Sequence, residues 1–122
     1  MRYYSKEHLW IDIEENCATI GICKYFIIQF LQSGGDVYVS VSDVGKEIQA
    51  GDSLLTLESN KSTIDFSAPV TGIITGKNTA IIDTPSLLSS LSEEECWVCR
   101  IETNTNDFSS LMTREEYDAF VS

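Results

Sequence analysis

A chain of 122 residues, 43% of them hydrophobic, is long enough to bury one core without metal or disulfide staples. Its 19 acidic residues against 8 basic ones give a net charge of −11, a field that repels nucleic acid and anionic membranes and favours encounter with basic protein surfaces. No apolar run approaches the ~18 residues of a membrane span, and no secretory signal or transit peptide opens the chain, so a single cytoplasmic domain over residues 1–122, acting as a monomer, is expected.

His8 to Glu14 alternates, with Leu9, Ile11 and Ile13 opposed to Trp10 and Asp12, and predicts a strand. Glu15 and Asn16 supply a turn into a second strand, Cys17 to Cys23, where Ala18, Ile20 and Ile22 oppose Thr19 and Gly21. Lys24 to Gln32 is too densely apolar for a surface strand and predicts one or two turns of mostly buried helix, ended by Gly34 and Gly35. Asp36 to Val41 alternates as a strand again. Turn signals at Asp43–Lys46 and Ala50–Asp52 bracket Glu47-Ile48-Gln49, a hairpin expected to lead into a strand over Leu54 to Leu57. Ile64 to Phe66 and Ile73 to Thr75 are further strands, with turns at Ala68–Gly72 and Gly76–Asn78. Short strands with turns at this density predict a mainly β sandwich or flattened barrel. Glycine turns on either side of the central hairpin also suggest a quasi-symmetric pair of hairpin units.

Two helices complete the expectation. Asp83-Thr84-Pro85 places a capping residue ahead of a proline at the first helical position. Thr113-Arg114-Glu115-Glu116 is a capping box, and Tyr117, Phe120 and Val121 give the C-terminal helix an apolar stripe that should dock on a sheet edge. Ser92-Glu93-Glu94-Glu95 between them reads as a solvated acidic loop without a function.

Four cysteines are present, Cys17, Cys23, Cys96 and Cys99. Cys96 and Cys99 have redox or zinc spacing, but in a strand residues i and i+3 point to opposite faces, so buried thiols acting as small hydrophobes are expected. His8 is the only histidine and cannot make a metal site alone. No nucleophile–base pair, carboxylate dyad or phosphate loop can be assembled, which disfavours an independent enzyme.

Lys61 is the only basic residue between Lys46 and Lys77, and it falls on a polar connection, Ser59 to Ser62, between two strand-like runs. Such a lysine is held at a hairpin tip with its amine in solvent. Spacing alone fits both an ordinary turn lysine and an amine presented for covalent loading.

Glu7-His8-Leu9-Trp10, Ala18-Thr19-Ile20-Gly21-Ile22, Val44-Gly45 with Ala50-Gly51-Asp52, and Glu58-Ser59-Asn60-Lys61 followed by Ser67-Ala68-Pro69-Val70-Thr71-Gly72 fall in the order of the glycine cleavage system H-protein family. Asn78-Thr79-Ala80, Pro85–Leu88, Trp97 and Glu115-Glu116-Tyr117 extend the resemblance over essentially the whole chain. The resemblance implies a lipoyl-carrier protein with a barrel-sandwich-hybrid, hammerhead-like fold, short flanking helices and a C-terminal helix. It implies lipoic acid in amide linkage to Lys61, with Glu58, Ser59 and Asp65 forming the environment of the tip. It also implies a non-catalytic shuttle of an aminomethyl group, whose partners are glycine decarboxylase, aminomethyltransferase, dihydrolipoyl dehydrogenase and a lipoate ligase or lipoyltransferase. An H-like paralogue that scaffolds ADP-ribosylation-linked stress signalling, or relays lipoyl groups to 2-oxoacid dehydrogenases, is the alternative. Biotin carriage is set aside because Asn60 and Ser62, not methionines, flank Lys61.

Two positions and one segment depart from the family pattern. Asp65 matches an aspartate four positions after the lysine, but the glutamate that precedes the first tryptophan is Leu9 here, so that Leu9→Glu is expected to restore a second carboxylate for the loaded amine. The glycine before the late tryptophan is Cys96, and Lys24–Gly35 is more apolar than the usual helix.

Overall fold

The computed structural model describes residues 1–32, 36–104 and 108–122. In chain order it contains β1 (Arg2–Tyr4), β2 (Leu9–Glu14), β3 (Cys17–Ile22), α1 (Lys24–Leu31), β4 (Val37–Val41), β5 (Glu47–Ile48), β6 (Ser53–Ser59), β7 (Thr63–Ser67), β8 (Gly72–Lys77), α2 (Thr79–Asp83), two 3-10 turns (Pro85–Ser89 and Glu94–Cys96), β9 (Trp97–Glu102) and α3 (Arg114–Val121). The expected helix stop at Gly34 and Gly35 lies outside the described residues.

The alternation in β2 and β3 becomes an antiparallel register in which Leu9 faces Ile22, Ile11 faces Ile20 and Ile13 faces Ala18, all turned to one side. Neighbours in register continue this pair into a six-stranded sheet of order β1-β2-β3-β9-β8-β5, while β4-β6-β7 forms a separate three-stranded sheet. Leu55, Leu57 and Phe66 from the small sheet meet Leu9, Ile11, Ile20, Ile74 and Ile101 from the large one in a single apolar cluster. Two sheets facing across such a core, with short helices and a C-terminal helix around them, form a barrel-sandwich hybrid. No described helix is long and apolar enough to cross a membrane.

Trp10, on the opposite side of β2, seeds a second cluster with Tyr4, Cys23, Met112 and Tyr117. Its indole lies against Gly21, where an added Cβ would stand 2.6 Å from Trp10 Nε1, and the Arg2 guanidinium covers the ring at 4.3 Å. The capping box at Thr113 forms as expected, and α3 docks at the β1 edge through a Tyr4–Tyr117 stack and a Tyr4–Met112 bridge.

Several expectations change. Glu47–Ile48 does not form a hairpin with the strand that follows; β5 pairs antiparallel with β8 in the other sheet, and Gly45 and Gly51, at φ of 92° and 98°, turn the chain on either side of it. The helix α1 is present, but only Ile27 on it is fully buried, and Tyr25 and Ile28 are 44% and 52% exposed. The segment after Asp83 is a 3-10 turn without a side-chain cap, preceded by the short helix α2.

Glu93 is not part of a solvated loop. Its Oε2 accepts the N–H of Lys24 at 3.0 Å, capping α1 from a distant part of the chain, and Arg2 and Arg114 approach its other oxygen at 3.7 and 3.9 Å. The Lys24 ammonium completes this clamp by donating to the carbonyls of Leu88 and Leu91 at 2.9 and 2.7 Å.

Candidate functional site at the Lys61 hairpin

β6 and β7 pair with Leu57 opposite Ile64, Thr56 opposite Asp65 and Glu58 opposite Thr63. Side chains alternate along each strand, so Leu57 and Ile64 face the core while Thr56, Glu58, Thr63 and Asp65 share the outer face. Beyond Glu58 the sequence runs out of apolar residues, and the chain reverses. The Ser59 N–H donates to the Ser62 carbonyl at 2.8 Å, leaving Asn60 and Lys61 as the two residues of the turn. The Ser59 hydroxyl then accepts the N–H of Lys61 at 3.3 Å and of Ser62 at 3.2 Å. A serine satisfying the amides two and three residues ahead is a local substitute for ladder hydrogen bonds, and it holds the turn in one shape.

Lys61 is exposed at this tip, and among the described residues its Nζ has no hydrogen-bond or ion-pair partner. Ser59 therefore organises the backbone under Lys61. Glu58 and Asp65 are exposed on the outer face, one beside the turn and one opposite Thr56, whose hydroxyl donates to Asp65 Oδ1 at 2.7 Å. Neither carboxylate pairs with Lys61, so the arrangement offers an uncommitted amine in an acidic setting. That amine can be acylated without breaking any contact of the fold.

Leu9 is fully buried in the main core. A carboxylate at that position would be desolvated among aliphatic side chains, so the burial of Leu9 argues against Leu9→Glu as a simple repair. The nearby carboxylate that does reach β7 is that of Glu7, whose Oε1 accepts the N–H of Ser67, at the far end of the strand from the tip, at 3.0 Å. Nothing in the local pattern marks Glu7 for this role, because the contact spans two sheets. Tyr38 lies opposite Glu58 on β4 and is 56% exposed, a placement that its strand alternation alone does not mark as part of the site.

Next to Glu7, His8 adopts φ of 70°, its Nδ1 lies 2.9 Å from the Tyr117 hydroxyl, and its ring contacts Tyr25, Phe26, Tyr117 and Phe120. Burial among these rings lowers its pKa. Phe26 also meets Phe66 of β7 at 5.4 Å between centroids.

The cysteines lie away from the tip. Burial pushes the thiols of Cys23 and Cys99 up to about 12 and that of Cys96 upward, and all four cysteines are unpaired. Cys96 closes the second 3-10 turn and does not belong to β9, and Cys17 is only half-buried on the outer face of the large sheet. Among the described residues, no three His, Cys, Asp or Glu side chains converge as metal ligands. A hollow lined by Asp12, Glu14, Glu15, Cys17, Thr19 and Arg100 lies on the large sheet and includes no residue of the Lys61 hairpin.

A family model described as glycine cleavage H-protein matches residues 2–122. The chain is 38% identical over 120 residues to the glycine cleavage system H protein of Thermoanaerobacter sp. (strain X514), covering 98% of this chain and 92% of that one. It is 35% identical over 121 residues to glycine cleavage system H protein 4 of Aquifex aeolicus (strain VF5), covering 98% of this chain and 69% of that protein. The crystal structure of a glycine cleavage system H protein from Mycobacterium marinum matches with a TM-score of 0.81 at 28% identity, over 97% of this chain and 94% of that one.

Proposed function

The chain belongs to the glycine cleavage H-protein family, and from that membership we propose that Lys61 bears lipoic acid as an amide on its Nζ. Its role is that of a lipoyl carrier in the glycine cleavage system; the names of its relatives do not favour the signalling or relay alternative. The observation that carries the attachment site is the exposed, unpartnered Lys61 amine on a turn fixed by Ser59.

Lipoic acid supplies a disulfide that opens to carry a one-carbon amine unit together with reducing equivalents. The chain's own residues supply the mounting. The β6–β7 hairpin is anchored by Leu55, Leu57 and Phe66 in the core, so the turn is a rigid base for a long flexible side chain. A tethered group swinging from a fixed base reaches several partner active sites at high effective concentration without a new binding event each time. Acylation removes the Lys61 charge, and Glu58 and Asp65 then leave the tip anionic, a setting that favours a cationic amine on the arm.

In this reading the chain is a non-catalytic monomer of one domain, loaded by a lipoate ligase or lipoyltransferase. It is then visited in turn by glycine decarboxylase, aminomethyltransferase and dihydrolipoyl dehydrogenase. Its four unpaired thiols, three of them buried, suit a reducing compartment, and a cytoplasmic site of action goes with the reading. The test is intact mass after incubation with lipoate, ATP and a lipoate ligase, followed by peptide mapping. One lipoyl group on Lys61 supports the proposal, and an unmodified chain or a lipoyl group on Lys46 or Lys77 overturns it.

A further inference from the structure

The two edges of the small sheet are treated differently. The β4 edge packs against α2 and the first 3-10 turn, whereas among the described elements β7 has β6 as its only ladder partner. In an antiparallel pair the backbone groups of alternate residues point to the partner and away from it. Ser59 and Ser62 close the hairpin with a hydrogen bond, so the pairs alternate from there: Ile64 and Phe66 bond to β6, and the N–H and C=O of Thr63 and Asp65 point to the open edge. Ser67 has the same parity, and its N–H is the one taken by Glu7. The Glu7 carboxylate thus stands where the carbonyl of a neighbouring strand would be. It closes the edge at the base and leaves open the stretch beside Lys61.

We propose that this open stretch, Thr63 to Asp65, is the docking edge for the enzyme that acylates Lys61, which adds an extended segment of its own to β7. The inference rests on Lys61 being the attachment site. Three features favour that occupant. The edge runs directly into the turn that carries Lys61, so a strand added here sets the distance and direction of Nζ relative to the enzyme bound to it. Backbone pairing gives affinity that does not depend on the residues beside the lysine. The carboxylates of Glu58, Asp65 and Glu7 flank the edge, so the added segment is basic.

The test compares Thr63→Pro with Thr63→Ala as substrates of a lipoate ligase. Thr63 is the first residue of an edge strand, where proline is tolerated, and the substitution deletes the outward N–H while leaving the bonds to β6. Thr63→Pro is expected to lose about tenfold in ligation kcat/KM, and Thr63→Ala to stay within about twofold of wild type. Should Thr63→Pro fail to fold, amide hydrogen exchange on the wild-type protein decides. Thr63 and Asp65 should become protected when ligase carrying an unreactive lipoyl-adenylate analogue is added, with Ser67 protected throughout. Equal ligation of both variants, or no added protection at Thr63 and Asp65, overturns the docking edge. A wild-type protein that accepts no lipoyl group overturns the attachment site itself, a distinguishable result.

Discussion

Glu93 and Lys24 stand 69 residues apart, and the Glu93 carboxylate accepts the first N–H of α1 at 3.0 Å. The helix has no side-chain cap of its own from Cys23, so this contact substitutes for one. Glu93→Ala should cost about 1–2 kcal/mol, because it leaves that N–H without its acceptor and removes the carboxylate that Arg2 and Arg114 approach. Glu93→Gln keeps an acceptor and should cost less. Urea denaturation, read as a lower midpoint at constant slope, checks both.

Lys61→Arg should abolish lipoylation and leave unfolding within about 0.5 kcal/mol of wild type, since the side chain supports nothing in the fold. Intact mass and thermal unfolding of the same sample test the two halves. A cooperative loss of stability would mean that the lysine is structural.

Gly21→Ala should destabilise by about 1–3 kcal/mol. The new methyl would overlap the Trp10 indole, which cannot retreat because the Arg2 guanidinium stacks on it at 4.3 Å. A shifted tryptophan fluorescence spectrum should accompany the loss.

His8→Asn tests a pH response. Burial lowers the folded-state pKa of His8 below its usual value of 6.5, so the unfolded chain binds a proton more readily than the folded one. The contribution is complete above about pH 6.5 and is lost as pH falls through the lowered folded value. Asparagine tolerates the left-handed backbone at this position. Denaturant midpoints of the wild type should therefore fall between about pH 7 and pH 5, and those of His8→Asn should fall less steeply.

Leu9→Glu should lose about 3 kcal/mol or more at neutral pH, because it places a carboxylate in the apolar cluster. Desolvation raises a buried carboxyl above its unfolded value, so the ionisation part of the penalty is absent below about pH 4 and grows as pH rises toward the folded value. Stability profiles of the variant that improve on acidification check the sign.

Strands with enough residues to show a period are legible in the sequence. Leu9, Ile11, Ala18, Ile20 and Ile22 face the core as their alternation requires, and the Thr113 capping box is written in four consecutive residues. Features decided by distant contacts were not. Glu47–Ile48 is too short to carry a period, and its partner β8 is chosen by the closing of the large sheet. Ile28 is as apolar as Ile27, and Phe26, Phe30 and Leu31 surround the pair, so hydropathy cannot tell which side of α1 turns inward. At the tip, the Ser-x-Lys-Ser turn disclosed Lys61 and Ser59. Glu7 stayed hidden because its acceptor role depends on how a different sheet approaches β7.

The Ser59 clasp also sets the mechanics of whatever Lys61 bears. With the turn backbone tied at both Lys61 and Ser62, the pivot stays still, and only bonds beyond the Cα rotate. A tethered head then samples a volume centred on one fixed point, whose outer limit is set by covalent length and whose interior is filled as the arm folds back on its own torsions.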